Sequence, residues 1–168
     1  MKLTETLSLP MPAQDVAAMY ADPRYATVRG EVLGAQDASS SVEGDVQAAF
    51  TVSTDLSMPT DRVPDIARPF VGSSITVREV QQWSAPQADG SRTGTTHLVV
   101  VGTPASMTAS VSMTPGAEGT TDIVIDGELV AKVPVLGKRL EKAAMPYVSR
   151  VLKAEQKAAR TYRDGASA

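Results

Sequence analysis

Very few side chains in this sequence could carry out chemistry. His97 is the only histidine, and the chain contains no cysteine. These counts exclude thiol catalysis, disulfides and thiolate metal sites, so we expect neither a metal nor a cofactor. In an apparent strand, His97 shares the parity of Val99 and Val101, which predicts that it points inward. An inward imidazole could act as a general base, but a structural or ligand-orienting role is favoured, and we assign no catalytic residue.

Three other features could belong to a binding site. Trp83 and Tyr147 could contact a ligand, although aromatic residues at these spacings are more often plain core. Glu79 lies in a strand-like stretch, and a solvated carboxylate is favoured there over an inward one. Segment 58–70 contains three prolines and is predicted to be either a mobile lid or a capping turn, with equal support. The stretch "VPVLGK" lacks the glycine pattern of a phosphate loop.

Length and composition predict one globular domain. The chain has 168 residues, of which 42% are hydrophobic, and we expect the domain to span residues 1–163 with a disordered tail at 164–168. No apolar run reaches the roughly 18 residues that a transmembrane helix needs. The first residues lack the apolar block of a signal peptide, so a cytoplasmic protein is expected.

Charge is distributed unevenly along the chain. Residues 1–137 carry 8 basic and 16 acidic residues, whereas residues 138–168 carry 8 basic and 3 acidic ones. An acidic body with a basic C-terminal segment argues against general nucleic-acid binding.

Hydrophobic periodicity predicts a strand, two short helices, about six further strands and a long helix. Leu3, Leu7 and Leu9 alternate with polar residues, and Asp22 with Pro23 is suited to open the second short helix. The later strand candidates are residues 30–37, 42–56, 74–84, 95–101, 106–114 and 122–133, with a bulge near Glu79. Tight turns between these strands predict an antiparallel meander with one apolar face, which needs a cover.

The C-terminal helix, predicted over residues 135–163, is the only element long enough to cover that face. Its apolar arc comprises Leu136, Leu140, Ala143, Tyr147, Val151, Ala154 and Ala158. Pro146 predicts a kink. A second stripe, Met145, Val148 and Leu152, lies away from this arc; it is either a partner seam or is buried by the kink, and burial is slightly favoured.

The composition of these facing surfaces predicts a cavity. The helix stripe is rich in alanine, and the chain has only two phenylalanines and one tryptophan to fill the space beneath it. An under-filled space between sheet and helix is a natural apolar pocket. The candidate lining residues are Phe50, Leu56, Trp83, His97, Val99, Met107, Met113, Leu140, Ala143, Tyr147 and Val151.

This layout resembles the helix-grip fold of the START and birch-pollen-allergen-like (SRPBCC) superfamily, which includes polyketide cyclase and lipid-transfer relatives. The stretches "AMYADPRY", "REVQQWS", "DGSRTGT", "KVPVLGKRLEK" and "VLKAEQKAAR" are similar to an actinobacterial family known only as a domain of unknown function. The resemblance spans nearly the whole chain and carries no catalytic signature. It implies an α+β fold in which a seven-stranded antiparallel sheet wraps on the C-terminal helix, often around a hydrophobic cavity.

Three functional hypotheses follow from these observations. The leading one is non-enzymatic binding of a small hydrophobic or lipid-like ligand by a monomer or weak dimer. The alternative is a protein- or membrane-interaction module that uses the basic helix and has no ligand cavity. The third is a cyclase- or hydrolase-type enzyme that uses His97.

Overall fold

The computed structural model describes residues 1–166, which form one sheet and three helices. In chain order the elements are β1 (Lys2–Leu9), α1 (Ala13–Ala21), α2 (Pro23–Leu33), β2 (Asp37–Gly44), β3 (Phe50–Pro59), β4 (Ser74–Trp83), β5 (Arg92–Val100), β6 (Ala105–Pro115), β7 (Thr121–Ala131) and α3 (Gly137–Ala166). Short 3₁₀ helices at Thr60–Arg62 and Asp65–Phe70 join β3 to β4, and another at Ala117–Gly119 joins β6 to β7.

The seven strands form one antiparallel sheet in the order β1-β7-β6-β5-β4-β3-β2. Each of the strands β2 to β7 pairs with its neighbour in sequence, because short connections favour antiparallel pairing. The first strand pairs with the last, from Lys2 opposite Glu128 to Leu9 opposite Thr121. The predicted antiparallel meander of about seven strands is therefore confirmed.

Alternation of apolar and polar residues gives the sheet one buried face. Leu7, Met107 and Ile123 are fully or almost fully buried, whereas their strand neighbours Thr6, Thr108 and Asp122 are exposed or half-buried. This inner face packs against all three helices, so one hydrophobic core lies between sheet and helices. No helix within residues 1–166 has the length and apolar character needed to cross a membrane.

The helix pair between β1 and β2 begins and ends at residues suited to those positions. The Asp22 carboxylate accepts a hydrogen bond of 2.9 Å from the Arg24 amide, and Pro23 occupies the first turn of α2. Gly34 ends α2 in the left-handed conformation, with φ of 74°. The predicted opening of the second helix at Asp22 and Pro23 is confirmed.

The long helix α3 differs from its prediction at both ends. It begins at Gly137 rather than at residue 135, and it continues past 163 to Ala166, so residues 164–166 are helical rather than disordered. The rest of the predicted tail, residues 167 and 168, lies outside the described residues. The helix continues through Pro146. Of the second stripe, Leu152 is buried and Met145 and Val148 pack against the core, so this stripe faces inward and forms no exposed seam.

Two strand predictions were wrong near the start of the sheet. Residues 30–37 are not a strand, because α2 continues to Leu33 and β2 begins only at Asp37. Residues 42–56 are not one strand but parts of β2 and β3, joined by a turn at 45–49. Gly44 adopts φ of 92° at this turn, and the Asp45 carboxylate accepts a hydrogen bond from the Gln47 amide.

The predicted bulge near Glu79 is absent from β4, which pairs without interruption from Ser74 to Trp83. The odd-numbered residues of β4 all face the core. Glu79, which was predicted to be solvated, and Gln81 therefore both take buried inner-face positions.

Candidate functional site

An apolar cavity of about 270 Å³ lies between the first half of α3 and the inner face of the sheet. We call it the apolar cavity. From α3 its wall includes Leu140, Ala144, Tyr147, Val148, Val151 and Leu152. From the strands it includes Leu56, Ile75, Val77, Leu98, Val100 and Leu129. The connection between β3 and β4 adds further wall residues, among them Val63, Ala67 and Phe70.

The cavity exists because mainly aliphatic side chains face it while five of the seven aromatic residues lie elsewhere. Trp83 and Tyr20 stack with ring centroids 5.8 Å apart, at the opposite end of β4 from Ile75 and Val77. The helices α1 and α2 supply Tyr20 and Tyr25 to that end. At the cavity end the cover consists mainly of α3, with Ala144 in its wall, and of two short 3₁₀ helices. Space is therefore left at the end that α1 does not reach.

One buried carboxylate stands in this apolar wall. Glu141 accepts hydrogen bonds from the Ala131 amide at 3.1 Å and from the amino group of Met1 at 3.2 Å. Lys138 lies 3.4 Å from the same carboxylate. The Ala131 amide, with the Met1 and Lys138 cations, lowers the pKa of Glu141. The group is therefore ionised at neutral pH, and its negative charge is paired with these two cations.

The cavity reaches the surface at one end of the molecule. Most wall residues are buried or half-buried, and the exposed ones are Arg62, Phe70, Pro104 and Tyr147. These residues belong to the β3–β4 connection, the β5–β6 turn and α3. Segment 58–70, predicted to be a lid or a capping turn, thus lies at the edge of the opening.

A second site lies beneath the other half of α3 and is charged rather than apolar. We call it the buried ionic cluster: Arg29 of α2, Glu79 and Gln81 of β4, and Glu155 of α3, with Tyr20 and Tyr25 against them. Arg29 and Glu79 form an ion pair, and Gln81 donates a hydrogen bond of 3.2 Å to Glu79. Trp83 donates to Gln81 at 3.2 Å. These contacts connect α2 and β4 through the interior.

Burial determines the protonation behaviour of the cluster. It raises the pKa of Glu155 to about 7; nearby Arg29 opposes this shift and Glu79 adds to it. Burial alone would lower the pKa of Arg29, but the carboxylates of Glu79 and Glu155 raise it overall, so Arg29 stays charged. The cluster thus contains one permanent cation and two carboxyl groups.

A gap of about 10 Å³ lies beside the cluster, lined by Tyr25, Arg29, Ser40 and Gln81 among others. Within the described residues, Arg29 Nε, Ser40 Oγ and Glu155 Oε1 have no hydrogen-bond partner. The gap is the size of a single water molecule and not of a substrate. This site has no room for chemistry on a ligand.

The structure places only some of the predicted lining residues in the cavity wall. Leu56, Leu140, Tyr147 and Val151 line it as predicted. Four others lie in the closed core and were wrongly assigned to the wall: Phe50, Trp83, Met107 and Met113. Ala143 is half-buried outside the wall, and its neighbour Ala144 takes the predicted place.

His97 and Val99 point away from the cavity, which corrects the prediction that they face inward. In β5 the buried positions are Arg92 and Thr96, and the even-numbered Leu98 and Val100 line the cavity. His97 is exposed on the outer face of the sheet, in a shallow groove with Lys2, Thr108 and Asp126. It therefore lies on the opposite side of the sheet from the cavity, where it cannot act on a cavity ligand.

Several wall residues were missed because their strands carry apolar residues on both faces. The run "HLVVV" has no alternation, so the sequence did not determine which of its residues face inward.

The prediction that Glu79 is a solvated carboxylate was also wrong, although the sequence pattern indicated its inward position. Glu79 and Gln81 share the parity of Ile75, Val77 and Trp83, and a strand without a bulge places all five on one face.

The described residues offer no cluster for metal chemistry. Within residues 1–166, no group of three or more histidine, aspartate or glutamate side chains could hold a metal ion. The cavity wall instead offers apolar contact, one ionised carboxylate and an opening to solvent. Such an arrangement can enclose and orient a ligand.

Sequence comparison identifies one family. The family described as "Protein of unknown function (DUF2505)" matches residues 4–162. No curated protein matches the chain.

Solved structures share the fold at low sequence identity. A protein from Thermus thermophilus is 14% identical, with 100% of each chain covered and a TM-score of 0.61. The Zhui aromatase/cyclase from Streptomyces sp. R1128 is 14% identical, with 95% of this chain and 90% of that chain covered and a TM-score of 0.59. A START superfamily protein from Mycobacterium smegmatis is 13% identical, with 96% and 98% covered and a TM-score of 0.54. These likenesses confirm the predicted helix-grip fold and do not extend to activity.

Proposed function

We propose that this chain, which belongs to the DUF2505 family and has the START-like helix-grip fold, binds a small apolar ligand in the apolar cavity. The observation that carries this proposal is an apolar cavity of about 270 Å³ that opens to the surface. Replacement of water by an apolar ligand in a cavity lined by hydrocarbon lowers the free energy, which favours binding.

The cavity dimensions and charge restrict the ligand. A volume of about 270 Å³ lies just below the roughly 300–1,000 Å³ range of ligand pockets, which favours a single ring system or a short chain. Glu141 already pairs with the Met1 and Lys138 cations, so a ligand carboxylate would find no free cation beside it. Burying such an unpaired charge against an apolar wall is costly. We therefore expect a neutral ligand rather than a fatty-acid anion, and binding without chemical conversion.

A fluorescent probe tests the proposal with a matched pair of variants. Prodan, a neutral dye with a single naphthalene ring system, is titrated into the wild type, Ala144→Phe and Ala143→Phe. Ala144 lines the cavity and Ala143 does not, so only Ala144→Phe should fill the space, with an expected loss of affinity of about tenfold or more. Absence of saturable dye binding in the wild type, or equal binding by both variants, would contradict the proposal.

Ligand charge is tested by competition. Octanol should displace the dye more effectively than octanoate, and Glu141→Gln should reduce this preference because it leaves the Met1 and Lys138 cations without their carboxylate partner. Native mass spectrometry of the purified protein then shows whether a neutral molecule is carried from the cell. An octanol preference unchanged in Glu141→Gln would rule out Glu141 as the source of selectivity.

A further inference from the structure

Three connections meet at one end of the molecule. They are the β3–β4 connection (60–73), the β5–β6 turn (101–104) and the β7–α3 loop (132–136). Because neighbouring strands alternate in direction, the last residues of β3, β5 and β7 lie at the same end of the sheet as the first residues of β4 and β6. We call this surface, together with the first turns of α3, the three-loop end.

Each of these connections exposes a large apolar side chain. Phe70 is 37% exposed, Val101 is 44% exposed and Val135 is 97% exposed, one in each connection. Tyr147 on α3, 37% exposed, lies beside the same opening. Among the described residues, the other large hydrophobic side chains with comparable exposure are Val42 and Val124, which lie in strands. Exposed apolar side chains are thus concentrated at one end.

Val135 is the clearest case, because the fold does not use it for packing. Its backbone adopts φ of 67°, in the left-handed region that is rare for a β-branched residue. The nearby Val133 and Leu136 are half-buried, whereas Val135 points almost entirely into water. The loop therefore holds an isopropyl group outward at a cost in backbone energy.

The charge around these side chains is opposite in sign to that of the whole protein. The three-loop end, taken as residues 60–73, 101–104 and 132–142, contains six basic residues: Arg62, Arg68, Lys132, Lys138, Arg139 and Lys142. It contains three acidic residues, of which Glu141 is buried. The chain as a whole has a net charge of -3. This end is therefore a basic surface on an acidic protein.

We propose that the three-loop end docks on an anionic lipid surface, with Val101, Val135 and Phe70 entering the interface and the basic residues facing lipid phosphates. Protruding apolar side chains among lysines and arginines are the elements of interfacial membrane binding, where each basic residue near an anionic surface contributes favourably. Protein interfaces, by contrast, are depleted in lysine.

Docking would bring the opening of the apolar cavity to the bilayer. The same three connections that expose these side chains also supply cavity wall residues, including Phe70, Pro104 and Val133. The docking proposal does not require the cavity to be filled, so it can hold or fail independently of the proposed ligand binding.

Vesicle co-sedimentation tests the docking. The full chain is mixed with vesicles of phosphatidylcholine alone and with vesicles that contain about one-third phosphatidylglycerol. We expect binding to the anionic vesicles only, weakened by high salt. Failure of the wild type to bind anionic vesicles overturns the proposal, whatever the dye titration shows.

Two matched pairs of variants locate the surface. Val135→Asp should weaken vesicle binding by about tenfold, whereas Val124→Asp, an exposed valine on the outer face of β7, should leave it unchanged. The double variant Arg139→Gln/Lys142→Gln should weaken vesicle binding by a similar factor or more. Its control is Lys157→Gln/Arg160→Gln, near the other end of α3, which changes the charge equally and should have a smaller effect.

Circular dichroism checks that each variant is folded, which is expected because these side chains are exposed. Equal losses in both members of a pair would mean that binding is not through this end, and would overturn the proposal. Light scattering gives a further outcome: a wild-type dimer that Val135→Asp dissociates would assign the surface to a second copy of the chain instead.

Discussion

The two halves of α3 cover different kinds of interior. The first half, from Leu140 to Leu152, faces the apolar cavity, whereas the second half places Glu155 in the buried ionic cluster and Ala158 and Ala159 in the closed core. The sheet beneath is continuous from one region to the other. The difference comes from the helices α1 and α2, which supply Tyr20, Tyr25 and Arg29 to one region only.

This contrast shows how one fold can hold a rigid region beside an empty one. The closed region is connected by side-chain hydrogen bonds and ring contacts, including an edge-to-face contact of 6.0 Å between Tyr25 and Tyr162. The cavity region has few polar contacts across it, so its packing can adapt to a ligand. We infer that the ionic cluster stabilises the fold while the cavity is left available for binding.

The largest effect should follow from removing the cation of the ionic cluster. Arg29→Met leaves Glu79 and Glu155 buried without a positive partner, and should lower the free energy of unfolding by about 3–5 kcal/mol. Urea unfolding measures this loss. Replacing Arg29 and Glu79 together by methionine should recover much of it, because no charged half of the pair is then left alone.

A surface ion pair provides the control for this prediction. Arg78 forms an ion pair of 2.9 Å with Asp55, but both side chains are substantially exposed, so Arg78→Met should change stability little. If Arg29→Met lowers the free energy of unfolding as little as Arg78→Met does, the cluster does not stabilise the fold. The contrast between the two halves of α3 is then weakened.

A smaller effect should appear as pH dependence. The folded-state pKa of Glu155 is raised from 4.5 to about 7, so its protonated form is favoured in the folded protein. Its contribution to stability is present in full below pH 4.5 and is lost as pH rises through 7. The groups facing it are Tyr20 from α1, Tyr25 and Arg29 from α2, and Glu79 from β4.

Glu155→Gln isolates this contribution, because glutamine keeps the shape and cannot ionise. Relative to the wild type, the variant should gain stability between pH 5 and pH 8, on the order of 1–3 kcal/mol. Chemical denaturation at several pH values measures the difference. A difference that does not change with pH would show that Glu155 titrates normally. Glu141, whose pKa is lowered, contributes in the opposite sense, because its stabilisation is lost at low pH.

The fold was more predictable from the sequence than either interior region. Clean alternation in "SMTASVSMT" placed Met107 and Met113 inward, and Asp22 with Pro23 marked a helix start. Local patterns were sufficient there because one face of each element is uniformly apolar. The same patterns failed at Glu79, since a charged residue on an inner face is explained only by its partner Arg29, fifty residues earlier in the chain.

Cavity residues were predictable only in part, for a related reason. Hydrophobicity indicates that a side chain is inside but not whether it meets another side chain or empty space. Met107 and Met113 fit the predicted lining and yet lie in closed core, whereas Leu98 and Val100 were passed over in a run without alternation. The position of the void depends on where α1 and α2 end relative to the sheet, which is a property of the assembled fold.

The smallest effects, and the most direct comparison of the two regions, come from enlarging one alanine in each half of α3. Ala144 borders the cavity and Ala158 is fully buried in the closed core. Ala158→Leu should destabilise the protein by about 1–3 kcal/mol through overpacking. Ala144→Leu places its added carbons in empty space and should be neutral or stabilising by up to about 1 kcal/mol. Thermal unfolding of the two variants measures both values. Equal destabilisation would mean that the first half of α3 is packed as tightly as the second, and that no void remains under it for a ligand to enter.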